Sequence, residues 1–113
     1  MSKDSASLRD IVIAGRKALA FSEGRSFGDF QRDEQFQSAI LYQLTIIGEA
    51  ARRISAEFRR AHPELPWVSI IGLRNVLVHE YASVELERIW SVLAFPLPDL
   101  VAKADELTQE DGE

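Results

Sequence analysis

Four side chains able to do chemistry crowd into one short stretch, Gly72-Leu73-Arg74-Asn75-Val76-Leu77-Val78-His79-Glu80-Tyr81. They are Arg74, Asn75, His79 and Tyr81. Cleaving RNA without a metal needs a base on the 2′-hydroxyl, a cation for the charge developing on the phosphate, and a group that orients the base. His79 is the right type for the base, since an ordinary imidazole exchanges protons near pH ~6.5. Arg74 suits the second role, and Asn75 or Tyr81 the third. A packed, structural pairing of Arg74 and His79 explains the same residue types, and both readings stand at this point.

The stretch otherwise has the apolar content of a buried helix. At about 100° per residue, Arg74 falls within the stripe formed by Ile70, Ile71, Leu77, Val78 and Tyr81. Asn75 and His79, four residues apart, share a neighbouring stripe with Gly72. Arg74 and His79 then diverge by about 140°. Both reach one phosphate only if the helix ends or distorts near His79, if the long Arg74 side chain reaches round, or if two subunits share a cleft. A guanidinium cannot shed its proton, so a desolvated Arg74 requires an anionic or hydrogen-bonding partner. Glu49, in the apolar run Ile46-Ile47-Gly48-Glu49-Ala50-Ala51, is a candidate. The adjacent Gly48 would let a second helix approach closely. The competing reading leaves Glu49 exposed to solvent.

Arg52, Arg53, Arg59 and Arg60 form a basic cluster interrupted by Glu57. Such clusters are commonly solvated faces, but this one can contact the RNA backbone without reading sequence. His62, just before Pro63, suits a helix end, where it can meet terminal carbonyls. With no cysteine and the two histidines on either side of a double-proline break, no metal site is expected. There is no Gly-rich phosphate loop and no dinucleotide fingerprint, so no cofactor is expected either.

The elements that must position these residues read as helices throughout. Ser5 or Ser7 can cap a first helix running to about Ser22, with Leu8, Ile11, Val12, Gly15 and Leu19 inward. Glycines and serines across 23–28 predict a loop, with Asp29 as a cap or turn residue. Phe36, Ile40, Leu44, Ile47, Ala51, Ile54 and Phe58 recur at spacings of three and four, a seam for a long helix with a break near Ser55 and a short helix to Ala61. Pro63 and Pro66 end that segment, and Pro66 opens the next helix, from about Trp67 to His79. Ser83 is a cap for a last helix, with Glu85 and Glu87 in its first turn, and Pro96 and Pro98 interrupt it before Leu100. No stretch alternates as a strand does. The fold class is all-α, an up-and-down bundle of four to five helices, and residues 1–113 form one domain.

The 113 residues suffice to bury a real core, and 46% hydrophobic with 27% charged residues argues against disorder. The formal charge of -5 is concentrated from Asp99 onward, where six acids face Lys103 alone, so the rest of the chain is neutral. No signal-like apolar core and no run long enough to span a bilayer are present, so no membrane association and a cytoplasmic location are expected.

Arg74, four residues, His79, one residue and Tyr81 together resemble the R-x4-H-x-Y motif of the HepT-like toxins of the HEPN superfamily. The blocks AILYQLTIIGEAARRIS at 39–55, HPELPWVSIIGLRNVLVHEY at 62–81 and ERIWSVL at 87–93 are similar to that family's, and the resemblance runs from about Ile11 to Leu107. Pro96 departs from the usual pattern and bears on the last helix, not on the motif. The resemblance implies a homodimer with both motifs in a shared, positively charged cleft, and a metal-independent RNase acting on tRNA or mRNA. Arg74 and His79 match the catalytic pair, and Asn75 the polar residue after the arginine. It also implies a minimal nucleotidyltransferase (MNT) antitoxin as partner, able to transfer AMP to Tyr81. Bulky negative charge there would repel RNA and occupy Arg74. The alternative is a non-catalytic scaffold subunit of a nucleotidyltransferase complex.

Overall fold

The computed structural model describes residues 3–79 and 85–111, and these contain seven helices and no strand. In chain order they are α1 (Lys3–Ser22), α2 (Phe27–Arg32), α3 (Glu34–Arg53), α4 (Ala56–Ala61), α5 (Trp67–His79), α6 (Leu86–Ala94) and α7 (Pro96–Asp111). The helix α3 is central: it packs on α1, which also packs on α7, and on its other side it carries α5. The short α2 bridges α3 and α6. The predicted all-helical bundle is what the chain forms.

Local chemistry explains most of the boundaries. Gly24, at φ 72°, turns the chain left-handed after α1, where a side chain would be strained. Ser26 then caps α2 by accepting from the Asp29 backbone N–H, while the Ser26 N–H donates to the Asp29 carboxylate. Part of the expected loop is therefore a short helix, and Asp29 is the third residue of that helix and the acidic half of its capping box, not its cap. Asp33 caps α3 by accepting from the Phe36 N–H at 3.1 Å.

The long seam divides where Ser55 suggested. Ile54 and Ser55 are extended, and Ser55 caps α4 through the Phe58 N–H. Asp4, at the start of α1, receives both the Ser55 N–H (2.8 Å) and its hydroxyl (2.7 Å). Phe58 therefore lies on a separate helix from the rest of the seam. Two expectations fail. Ser5 and Ser7 are buried inside α1, which already includes Lys3, so neither is a cap. Glu85 occupies the cap position of α6, without a side-chain bond, and not its first turn. Ser83 and Tyr81 lie outside the described residues.

The core runs from Leu8, Ile11 and Ala18 of α1 through Ile40, Leu44 and Ile47 of α3 to Leu97, Val101 and Ala104 of α7. An aromatic cluster closes one end, with Phe30 edge-on to Phe36 at 5.2 Å and against Trp90 at 5.4 Å. Phe95 breaks the chain between α6 and α7, and Pro96 takes the first helical position of α7, where its missing N–H costs nothing.

Candidate active site

The helix bearing Arg74, Asn75 and His79 is placed by its ends and by one glycine. At its start the Pro66 carbonyl accepts the Ile70 N–H, and Trp67 is anchored by its indole N–H donating to the His62 carbonyl at 2.8 Å. Trp67, Leu73 and Leu77 are the buried residues of α5, and its inward face lies on α3. The two helices pack tightly at Gly48. A Cβ there would collide with the Cβ and Cγ of Arg74, so only glycine lets the Arg74 backbone settle against α3.

This approach sets the electrostatics. The Arg74 Nη2 pairs with the Glu49 carboxylate, and Nη1 donates to the Asn75 Oδ1 at 2.9 Å. The Arg74 side chain is 13% exposed and that of Glu49 is 30% exposed, so the pair is shielded more than a surface bridge. Glu49 is thus the internal partner of Arg74, not a solvated surface residue. Its second oxygen lies 3.7 Å from Arg52. The Arg74 Nε is buried and has no hydrogen-bond partner among the described residues.

Asn75 and His79 are both exposed, with exposed Gly72 on the same side. A fixed guanidinium therefore borders a face that presents an amide and an imidazole to solvent. The structure does not bring the four arginines together as one free patch. Arg53 pairs with Asp10 at 3.3 Å, an acid that sequence distance hid, and Arg52 leans on Glu49. Arg59 and Arg60 occupy the last turn of α4. The backbone N–H of His62, not its ring, caps α4, and its Nδ1 lies 3.3 Å from Glu64. That contact helps hold the Glu64 carboxyl below its ordinary range, after the hydrogen bond from its own backbone N–H. Among the described residues no three His, Asp or Glu side chains gather as a metal site would need.

A family model described as ribonuclease HepT-like matches residues 5–107, which takes in α2 to α6 whole and most of α1 and α7. The chain belongs to the ribonuclease HepT-like family. Membership places it among ribonucleases, and the HepT-like relatives span most of its length. A protein of Caldanaerobacter subterraneus subsp. tengcongensis, named as a candidate RNase, is 37% identical over 89 residues, 79% of this chain and 80% of the relative. A protein of Thermococcus cleftensis, named as a candidate ribonuclease HepT, is 35% identical over 100 residues, 88% of this chain and 91% of its own. A third, of Methanocaldococcus jannaschii and again named as a candidate RNase, is 30% identical over 93 residues, 82% of this chain and 85% of the relative. No solved structure matches. Among the described residues no helix is long and apolar enough to cross a membrane.

Proposed function

We propose that the chain is a metal-independent endoribonuclease and the toxin of a HEPN/MNT toxin–antitoxin pair. The observation that carries this reading is the Arg74 guanidinium, locked by Glu49 and Asn75 beside the exposed face that holds His79. In the proposed reaction His79 takes the 2′-hydroxyl proton and the 2′-oxygen attacks the adjacent phosphorus. The bond to the 5′-oxygen then breaks, the leaving oxygen takes up the proton held by the His79 imidazolium, directly or through water, and a 2′,3′-cyclic phosphate remains. Arg74 holds the charge that builds on the phosphate oxygens, and Asn75 keeps the guanidinium in place. RNA strands, tRNA or mRNA, are the substrate class, and Arg59 and Arg60 supply backbone contacts.

Arg74 points toward α3 while His79 faces solvent at the last residue of α5, and a homodimer with a shared cleft is one arrangement that lets one phosphate meet both types of group. Exposed Tyr42 and Val78, on the two helices that carry the Glu49–Arg74 pair, offer apolar surface for a second copy. The MNT nucleotidyltransferase antitoxin silences the enzyme by transferring AMP to Tyr81, in the cytoplasm.

Purified Arg74→Ala and His79→Ala proteins test the reading. Both are expected to stay helical and to lose RNA cleavage, and their expression should no longer slow growth. Full cleavage by both variants would show the assignment wrong. The scaffold reading is favoured by one observation, that Glu49 already neutralises Arg74. Growth inhibition that a co-expressed MNT nucleotidyltransferase relieves separates the two, because a scaffold would not inhibit growth alone.

A further inference from the structure

Between α3, α5, α6 and α7 lies an apolar cavity of about 240 Å³. Its floor is made of buried Leu44, Leu73, Leu97 and Leu100, and its mouth includes exposed Ser69 and Arg88. At ~30 Å³ per water-sized group, it has room for a body of roughly eight heavy atoms. Apolar walls with one cation and one hydroxyl at the mouth suit a ligand with a hydrocarbon body and a single anionic head. We propose that this cavity binds a small amphipathic carboxylate of medium chain length.

The hydrocarbon lies on the leucine floor. The carboxylate pairs with the Arg88 guanidinium and accepts a hydrogen bond from the Ser69 hydroxyl. The site also touches the helix of the proposed active site, since Leu73, which lines it, immediately precedes Arg74. Strong packing joins α5 to α3, whereas α6 and α7 meet it across this gap. A bound carboxylate therefore fills the space between α5 and the α6–α7 pair and resists displacement of α5.

Octanoate is the probe, with octanol and octylammonium as matched controls, followed by amide chemical shifts and by thermal unfolding of the full chain. Octanoate is expected to shift the amides of Ser69, Ile70, Val92 and Leu97 and to raise the melting temperature, with octanol weaker and octylammonium silent. Arg88→Gln should weaken octanoate binding about tenfold, the usual loss of a charge-assisted bond. Val92→Trp should fill the cavity and abolish binding, and if it fails to fold, Arg88→Gln alone decides. The proposal is overturned if millimolar octanoate shifts none of these amides, if Arg88→Gln binds as well as wild type, or if octylammonium binds equally. It is also overturned if sedimentation shows a dimer that Val92→Trp converts to a monomer, since a second copy would then occupy the gap. None of these readouts depends on RNA cleavage.

Discussion

The Arg74 guanidinium meets the Glu49 carboxylate across the α3–α5 contact, one residue from the glycine that lets the two helices touch. Neither charge is on the surface in the ordinary sense, and each is the other's main compensation for lost hydration. Removing one partner leaves the other partly buried and without its main counter-charge, with only the Asn75 amide for Arg74 or the more distant Arg52 for Glu49. Glu49→Ala is therefore expected to lower stability by about 1–3 kcal/mol, between the values typical of exposed and fully buried pairs. Urea unfolding measures it. The double variant Glu49→Ala/Arg74→Met should recover part of the loss, because no stranded charge remains. Simple additivity of the two single losses would show that the pair is not coupled.

Two glycines on facing helices should respond in opposite directions to the same substitution. At Gly48 the new methyl collides with Arg74, so Gly48→Ala should cost about 1–3 kcal/mol even though alanine is the better helix former. At Gly72 nothing lies within 4 Å of the new Cβ, and Gly72→Ala should gain about 0.5–1 kcal/mol. Midpoints of urea melts on the two variants provide the check. Equal effects would mean that α3 and α5 do not touch at Gly48.

Acid should first loosen the corner between α2 and α3. The Ser26 backbone N–H, followed by the Ser26 hydroxyl, holds the Asp29 carboxyl below its ordinary range, and the Phe36 backbone N–H, followed by Arg25, does the same for Asp33. Because both folded-state values lie below the unfolded ones, the stabilisation is complete above about pH 4 and is lost as pH falls through the folded values. Asp29→Asn and Asp33→Asn should therefore lower stability mainly above about pH 4, leave the acid end least affected, and so flatten the acid limb of the stability–pH curve. Carboxyl carbon shifts followed through a titration should place both groups below the ordinary carboxylate range.

Much of this was legible in the residue order because helices are local. The spacing of Phe36, Ile40, Leu44 and Ile47 marks α3, and Pro66 with Trp67 marks the start of α5, since the bonds and stripes involved span only three or four residues. The short α2 was hidden because Gly24 and Gly28 look like breakers, although Ser26 and Asp29 spell a capping box three residues apart. The placing of Ser5 and Ser7 inside α1 was hidden too, since a serine in a first turn looks the same whether it caps or is buried.

The sequence alone determined that Arg74, Asn75 and His79 share one helix, and that a desolvated arginine there must have a partner. It named Glu49 as a candidate without deciding for it. Only the tertiary structure settled that choice, because the partner lies 25 positions away and meets Arg74 solely through the crossing of α3 over α5 at Gly48. The same holds for the loss of the free basic patch to Asp10 and Glu49, and for the cavity beneath Arg88. Charges and voids of this kind belong to pairs of helices, and periodicity along one helix carries no record of which face another will cover.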